Sequence, residues 1–264
     1  MYEFDYHRAT SLADAAKAFA GAREGKYLAG GMTLLPTMKL RLAQPSDLID
    51  LAGIGDLAGI RKDRGAIVIK AMTSHAAVAA NKEVAGAIPA LAALAESIGD
   101  PQVRNRGTIG GSLANNDPAA DYPAAVLGLG ATVVTDKRRI AADDFFTGMF
   151  STALAEGELI TELSFPVAKA ACYVKFPNPA SRYAIVGVLV ARTDAGVRVA
   201  VTGAAPCVFR LGEWEKALDK SFAAESVAAL AVKADDLNGD IHASAEYRAH
   251  LVGVMTRRAI AGCL

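Results

Sequence analysis

Two short segments of this 264-residue chain combine glycines and hydroxyls in a way that suits anion binding. The first is Ala29-Gly30-Gly31-Met32-Thr33, and the second is Thr108-Ile109-Gly110-Gly111-Ser112. Paired glycines let successive backbone N–H groups point into one concavity, and the missing Cβ lets a charged oxygen come close. Thr33 stands where a helix is expected to begin, so a hydroxyl and the positive end of a helix would meet the same ligand. Two such turns fit the two phosphates of one dinucleotide, held from opposite sides. A tight turn without a ligand is the plainer use of either glycine pair. The second turn is set apart by its polar company, Asn105, Asn115, Asn116, Asp117 and Asp121. Such side chains must find hydrogen-bond partners if they are buried. Asp121 either caps the helix that follows or accepts a hydroxyl from a ligand.

Other chemistry-bearing patterns fail on their context. "GIGDLAG" at 53–59 nearly matches a dinucleotide fingerprint, but that fingerprint needs a helix next, and "IRKDRGAIVIK" reads as a turning strand. "GAREGK" at 21–26 is one residue short of a phosphate loop and has Tyr27 where Ser or Thr is required. Cys172, Cys207 and Cys263 form no CxxC and read as buried free thiols, and His7, His75, His242 and His250 have no metal-ligand spacing. Neither a zinc site nor an iron–sulfur cluster is expected on this chain. No nucleophile–base–acid set emerges either: His75, at a helix start, reads as a cap or surface residue rather than a general base. No catalytic residue is assigned.

The elements that must hold the two segments follow from periodicity and caps. "YEFDYHRA" reads as a strand, and Ser11 with Asp14 starts an Ala-rich helix that ends near Gly21 or Gly25. "KYLAGG" is a strand running into the first glycine turn, "TLLPTMKLRLA" a short helix, and "PSDLIDLAGI" a returning strand. Residues 1–55 thus form a βαβ-like first subdomain. In 56–166 a hairpin turns at Asp63-Arg64-Gly65, and Thr73 caps a helix over "SHAAVAAN". "IPALAALAESIG" supplies another helix, and Pro118 starts one that Pro123 limits or bends. "ATVVTD" and "ELITELSFP" read as strands. In 167–264 strands come first and three helical segments follow, which predicts an α+β domain with helices on one face of a sheet.

Composition narrows the partners. Charges balance at 28 basic and 28 acidic residues, which argues against nucleic acid or an anionic membrane as the main partner. No apolar run reaches the roughly 20 residues a membrane span needs. The first residues show no basic region followed by an apolar run, so a soluble, cytoplasmic protein is expected.

Two long stretches, "LAGGMTLLPTMKLRLAQPSDLIDL" and "GDPQVRNRGTIGGSLANNDPAADYPA", closely resemble the FAD-binding medium subunit of molybdenum hydroxylases. The likeness is to the carbon monoxide dehydrogenase medium-subunit type, whose equivalent in xanthine dehydrogenase is a domain of a longer chain. It covers nearly the whole length. The resemblance implies an α+β protein with the vanillyl-alcohol-oxidase-like (PCMH-type) FAD-binding fold in two subdomains. An α+β C-terminal domain of the carbon monoxide dehydrogenase flavoprotein type follows them. It assigns the FAD pyrophosphate to Ala29, Gly30, Gly31, Met32 and Thr33 together with Thr108, Ile109, Gly110, Gly111 and Ser112. It makes Asp121 the acidic FAD contact and Ile160 an apolar lining residue. Lys175 and Tyr183 match positions near the isoalloxazine, with Tyr183 stacking on the ring. Met32 departs from the Gln, His, Thr or Asn common there, and can contribute only its backbone as donor.

The resemblance also implies partners. Molybdopterin is expected on a large subunit and [2Fe-2S] clusters on a small one, in a heterotrimer paired into a dimer. Electrons from the substrate would pass through those centres to FAD and on to an external acceptor. The rival readings are a stand-alone FAD-dependent oxidoreductase of the same fold and a flavin-free assembly scaffold.

Overall fold

A computed structural model describes residues 1–263. Three short strands, β1 (Asp5–Arg8), β2 (Gly25–Leu28) and β3 (Asp47–Asp50), form a parallel sheet in the order β1-β3-β2. Two helices, α1 (Leu12–Gly21) and α2 (Leu34–Lys39), connect them. The Ser11 side chain accepts the Asp14 amide and starts α1 as expected. α1 then buries Ala15 against Ala9 and Ile49, and Phe19 stacks on Tyr27 with ring centroids 4.8 Å apart.

The second sheet begins with β4 (Ile60–Asp63) and β5 (Ala66–Lys70), joined by the expected hairpin. Arg64 and Gly65 both have positive φ, 46° and 83°, the backbone that a two-residue I′ turn demands. Six helices follow: α3 (His75–Ala80), α4 (Lys82–Ala87), α5 (Pro89–Glu96), α6 (Pro101–Arg106), α7 (Ile109–Asn115) and α8 (Tyr122–Leu129). Then come β6 (Thr132–Thr135), β7 (Arg139–Ala141), the single turn α9 (Ala142–Phe145), the small hairpin β8 (Phe146–Gly148) with β9 (Ser151–Thr152), and β10 (Ile160–Pro166). β10 enters between β5 and β6, giving the antiparallel order β4-β5-β10-β6-β7.

The third sheet is the antiparallel meander β11 (Ala170–Pro177), β12 (Ala184–Thr193), β13 (Gly196–Thr202) and β14 (Phe209–Arg210). α10 (Gly212–Lys220) and α11 (Ala245–Gly262) cover one face of it through Trp214, Leu218, Leu251, Val252 and Met255. Between α10 and α11 the third helical segment is one 3-10 turn, Ala224–Val227. The other face packs on α8, every residue of which is buried. A helix apolar all round is one enclosed on all sides, and here the second and third sheets enclose it. A Cβ at Gly128 would stand 2.5 Å from the Leu189 side chain, so glycine sets how closely α8 meets β12.

Three local expectations need correction. Ser74, not Thr73, caps α3 by accepting the Ala77 amide, while the Thr73 hydroxyl bonds both the amide and the carbonyl of Gly59. Pro118 starts no helix: α8 begins at Tyr122 with Pro123 in its first turn, where a missing N–H costs nothing and no bend results. The second glycine segment, expected as a turn, is instead the Thr108 cap and first residues of α7.

Asn116 ends α7 in the left-handed region, φ 43°, and is almost wholly buried. Its Nδ2 donates to the carbonyls of Gly148 at 2.8 Å and Ser151 at 2.7 Å, and its own carbonyl accepts the Phe150 amide. It therefore ties the β8–β9 hairpin to α7. Asn116→Ala is expected to lower the unfolding free energy by about 1–3 kcal/mol, since two carbonyls lose their partner. Urea titration measures it. Asn115, its neighbour, lies on the cleft described next.

Candidate functional site

A cleft of about 670 Å³ opens where the first two sheets and their helices meet. Its size falls within the roughly 300–1,000 Å³ usual for cofactor sites. Both glycine segments line it, and they touch each other. A Cβ at Gly30 would lie 2.0 Å from the Arg106 carbonyl oxygen and 2.9 Å from the Gly107 Cα. A Cβ at Gly111 would lie 3.3 Å from the Ala29 Cβ. Gly31 has φ 74°, which turns the chain from β2 toward α2.

The two segments offer different chemistry. The second is the first turn of α7, and its amides are already engaged. Ile109 N donates to the Thr73 carbonyl at 3.1 Å, Gly110 N to the Ala71 carbonyl at 2.8 Å, and Gly111 N to Thr108 Oγ1 at 3.1 Å. Gly110 is needed for that contact, because a Cβ there would stand 2.8 Å from the Ala71 carbonyl oxygen. The expectation that these glycines present open donors to phosphate is therefore corrected for Ile109, Gly110 and Gly111. Open donors belong to the first segment. Among the described residues the amides of Gly30, Gly31, Met32 and Thr33 donate to no protein acceptor. Thr33 precedes α2 without capping it through its side chain, which leaves its hydroxyl for the cleft. Ser112 also lines the cleft, and its hydroxyl has no protein partner among the described residues.

The remaining expected positions divide. Asp121, Ile160 and Tyr183 line the cleft together with Ala29, Met32 and Thr108. Ile109 is fully buried and faces the core, so it serves as an anchor for α7. Lys175 stands behind Asp121: its Nζ lies 3.1 Å from Oδ1 and 3.2 Å from Oδ2 and donates to the Ser97 carbonyl at 2.9 Å. The Tyr173 hydroxyl donates to Asp121 as well. Asp121 makes no side-chain cap on α8, so its carboxylate belongs to this network. Burial pushes the Asp121 carboxyl above its usual range, against the opposing pull of Lys175 and Tyr173. Tyr183 is 46% exposed, on a turn pinned where Asn178 Oδ1 accepts the Ala180 and Ser181 amides. Burial and the nearby Asp117 and Asp121 push its phenol up.

Several lining residues escaped sequence reasoning. His75 is buried on the cleft wall, and its ring fills the space that a Gly107 side chain would take. Burial and the Arg104 charge lower it to about 4, so it stays neutral at physiological pH. Phe150, presented by the β8–β9 hairpin, Lys26 and Arg182 also line the cleft. Glu158 holds the segment leading into β10. It accepts from Arg138 Nε and Nη2 at 2.9 Å each, from the Ala155 amide and from Thr135 Oγ1. These donors, Arg138 first, hold its carboxyl at about 2 against an ordinary 4.5. A depressed carboxylate stabilises the fold above its ordinary pKa and loses that contribution as pH falls through the folded value. Glu158→Gln is thus expected to lower the Tm at neutral pH and to flatten the Tm profile between pH 4.5 and 2.

Comparison with known proteins agrees with this architecture. Residues 2–168 match the family described as "FAD binding domain in molybdopterin dehydrogenase", and residues 171–262 match "CO dehydrogenase flavoprotein C-terminal domain". The carbon monoxide dehydrogenase medium chain of Hydrogenophaga pseudoflava is 37% identical, over 97% of this chain and 96% of the relative. The nicotine 6-hydroxylase medium subunit of Paenarthrobacter nicotinovorans is 36% identical, over 97% of this chain and 95% of its own. A crystal structure of the Hydrogenophaga pseudoflava carbon monoxide dehydrogenase superposes with a TM-score of 0.89 at 35% identity, covering 99% of this chain and 97% of that one. Matched along nearly its whole length, the chain belongs to the FAD-binding medium-chain family of molybdenum-containing dehydrogenases, with the flavoprotein C-terminal domain of carbon monoxide dehydrogenase.

Proposed function

We propose that this chain is the electron-transfer flavoprotein of a multi-subunit molybdenum hydroxylase, with FAD in the cleft. The observation that carries the reading is the run of four amides, Gly30 to Thr33, without a protein acceptor beside the hydroxyls of Thr33 and Ser112. Four successive donors and two hydroxyls fit a pyrophosphate. Gly110 and Gly111 contribute by letting α7 seat against Ala71 and Ala29, and Thr108 by capping α7. Asp121 is placed to accept a ligand hydroxyl or N–H, with Lys175 and Tyr173 fixing its carboxylate. Ile160 supplies apolar wall, and the half-exposed Tyr183 ring supplies a face for stacking on the isoalloxazine. Bound FAD supplies reversible electron uptake and release; the protein's share is to bind, orient and tune it. That division agrees with a cleft whose lining histidine, His75, is held neutral.

The relatives are medium subunits, which supports a large molybdopterin subunit and a small [2Fe-2S] subunit as partners. A dimer of such heterotrimers is the assembly proposed, passing electrons from those centres through FAD to an external acceptor. Three free thiols support a cytoplasmic location. The test is to mix the purified chain with FAD, pass it through a desalting column and record the visible spectrum. Retained flavin absorbance is expected at one equivalent per chain. A colourless protein would overturn the reading.

A further inference from the structure

β11 presents two faces with different neighbours. Ala171 and Tyr173 pack toward the second sheet, and Lys175 reaches Asp121 from the same side. Val174 and Phe176 pack with α11 and its neighbours, and Cys172 shares their side of the strand. Cys172 stands in register with Val190 on β12, and Cys263, the C-cap of α11, donates its thiol to the Val190 carbonyl at 3.5 Å. The Cys172 sulfur is seated against the last turn of α11: a Cβ at Gly262 would lie 2.5 Å from it. Glycine at 262 makes that seat possible. Both cysteines therefore converge where the last turn of α11 meets β12 at Val190, and both are only partly buried. The neighbouring Cys263 thiol lowers the Cys172 thiol to about 7, and the same proximity raises Cys263. A nucleophilic thiolate beside a second thiol is the arrangement of an oxidisable pair. Cys207 is not part of it and lies beside the Asn116 amide.

We propose that Cys172 and Cys263 form a peroxide-sensitive dithiol, which closes to a disulfide stapling the end of α11 to β11. The Cys172 thiolate attacks one oxygen of hydrogen peroxide. The O–O bond breaks, hydroxide leaves and takes a proton as water, and Cys172 becomes a sulfenic acid. The Cys263 sulfur then attacks the Cys172 sulfur, the S–O bond breaks, and a second water leaves with the Cys263 proton. Two thiols and one peroxide give one disulfide and two waters, the sulfur pair losing two electrons. Disulfides of this kind in a reducing compartment are transient and sensing rather than structural. Its place in the fold gives the pair a readout, because Tyr173, next to Cys172, bonds Asp121 on the cleft. The proposal does not depend on which cofactor fills that cleft.

The test treats the full-length protein with stoichiometric hydrogen peroxide, denatures it in iodoacetamide and digests it without reduction. Mass spectrometry is expected to find the Cys172 and Cys263 peptides linked and two hydrogens lighter than the separate pair, with Cys207 alkylated. Alkylated Cys172 and Cys263, Cys172 recovered as sulfinic acid beside alkylated Cys263, or links to Cys207 or another chain would each overturn it. Cys263→Ala supplies a second arm. In that variant Cys172 should stop at a sulfenic acid captured by dimedone, and the midpoint of its alkylation against pH should rise from near 7. An unmoved midpoint would show that Cys263 does not act on Cys172 and would equally overturn the pair.

Discussion

Lys175→Met is expected to lower the unfolding free energy by about 3–5 kcal/mol, the cost of leaving one member of a buried ion pair without its partner. Lys175 and Asp121 have side chains only 8% and 5% exposed, so water cannot replace the lost contact. The methionine fills the space of the lysine stem, which separates loss of charge from loss of volume. Burial already raises the Asp121 carboxyl, and without the ammonium it rises further. A carboxyl whose folded value is raised adds stability below its unfolded value and loses it as pH climbs toward the folded one. The penalty should therefore be small in acid and grow to its full size above the raised pKa. Denaturant unfolding at a series of pH values measures this. Adding Asp121→Asn to Lys175→Met should recover most of the loss at neutral pH, because no buried charge then remains. A loss independent of pH, and unrelieved by Asp121→Asn, would show that Lys175 acts through packing alone.

Gly30→Ala is expected to weaken FAD binding by about a hundredfold, equivalent to about 2.8 kcal/mol. The added methyl would stand 2.0 Å from the Arg106 carbonyl oxygen, a backbone atom with no side chain to swing away. Segment 29–33 must then move off α6 and Gly107, carrying its unpaired amides out of line with Thr108 and Ser112. Overpacking of this kind typically costs 1–3 kcal/mol, so the protein should remain folded while its flavin affinity collapses. Fluorescence titration with FAD, alongside a melting curve, separates the two effects. Gly55→Ala is the control, since nothing lies within 4 Å of a Cβ there. Wild-type affinity in Gly30→Ala would contradict the role given to the first segment.

How much of this was legible beforehand depended on how local each signal was. The hairpin at Asp63-Arg64-Gly65, the Ser11 cap and the βαβ-like first unit follow from neighbours in sequence, and they form as expected. Both glycine segments stood out in the sequence, and in the fold they meet on one cleft. Their division of labour was not. Two adjacent glycines cost a helix about 1 kcal/mol each relative to alanine, so 108–112 reads as a turn. What overrides that cost is tertiary: Ala71 and Thr73 accept the first amides of α7, and the Thr108 cap accepts the next. Lys175 was placed beside the flavin by resemblance, and only the folded arrangement shows it spending its charge on Asp121, 54 residues away. His75 read as a cap or surface residue because a single histidine carries no pattern, and its burial on the cleft wall depends on the distant Gly107.

α8 has a consequence beyond packing. It is buried on all sides because the second and third sheets each supply part of its cover. The Leu127 carbonyl accepts from the Arg198 guanidinium on β13, and Thr202 reaches back to the carbonyls of Pro118 and Ala120. Neither part can open without stripping this shared helix. The two matched family regions, 2–168 and 171–262, therefore share in burying one helix. Backbone amides of α8 are expected among the slowest in the chain to exchange, which hydrogen–deuterium exchange measures. Opening the C-terminal sheet would therefore uncover the helix that directly follows Asp121, a residue of the cleft wall.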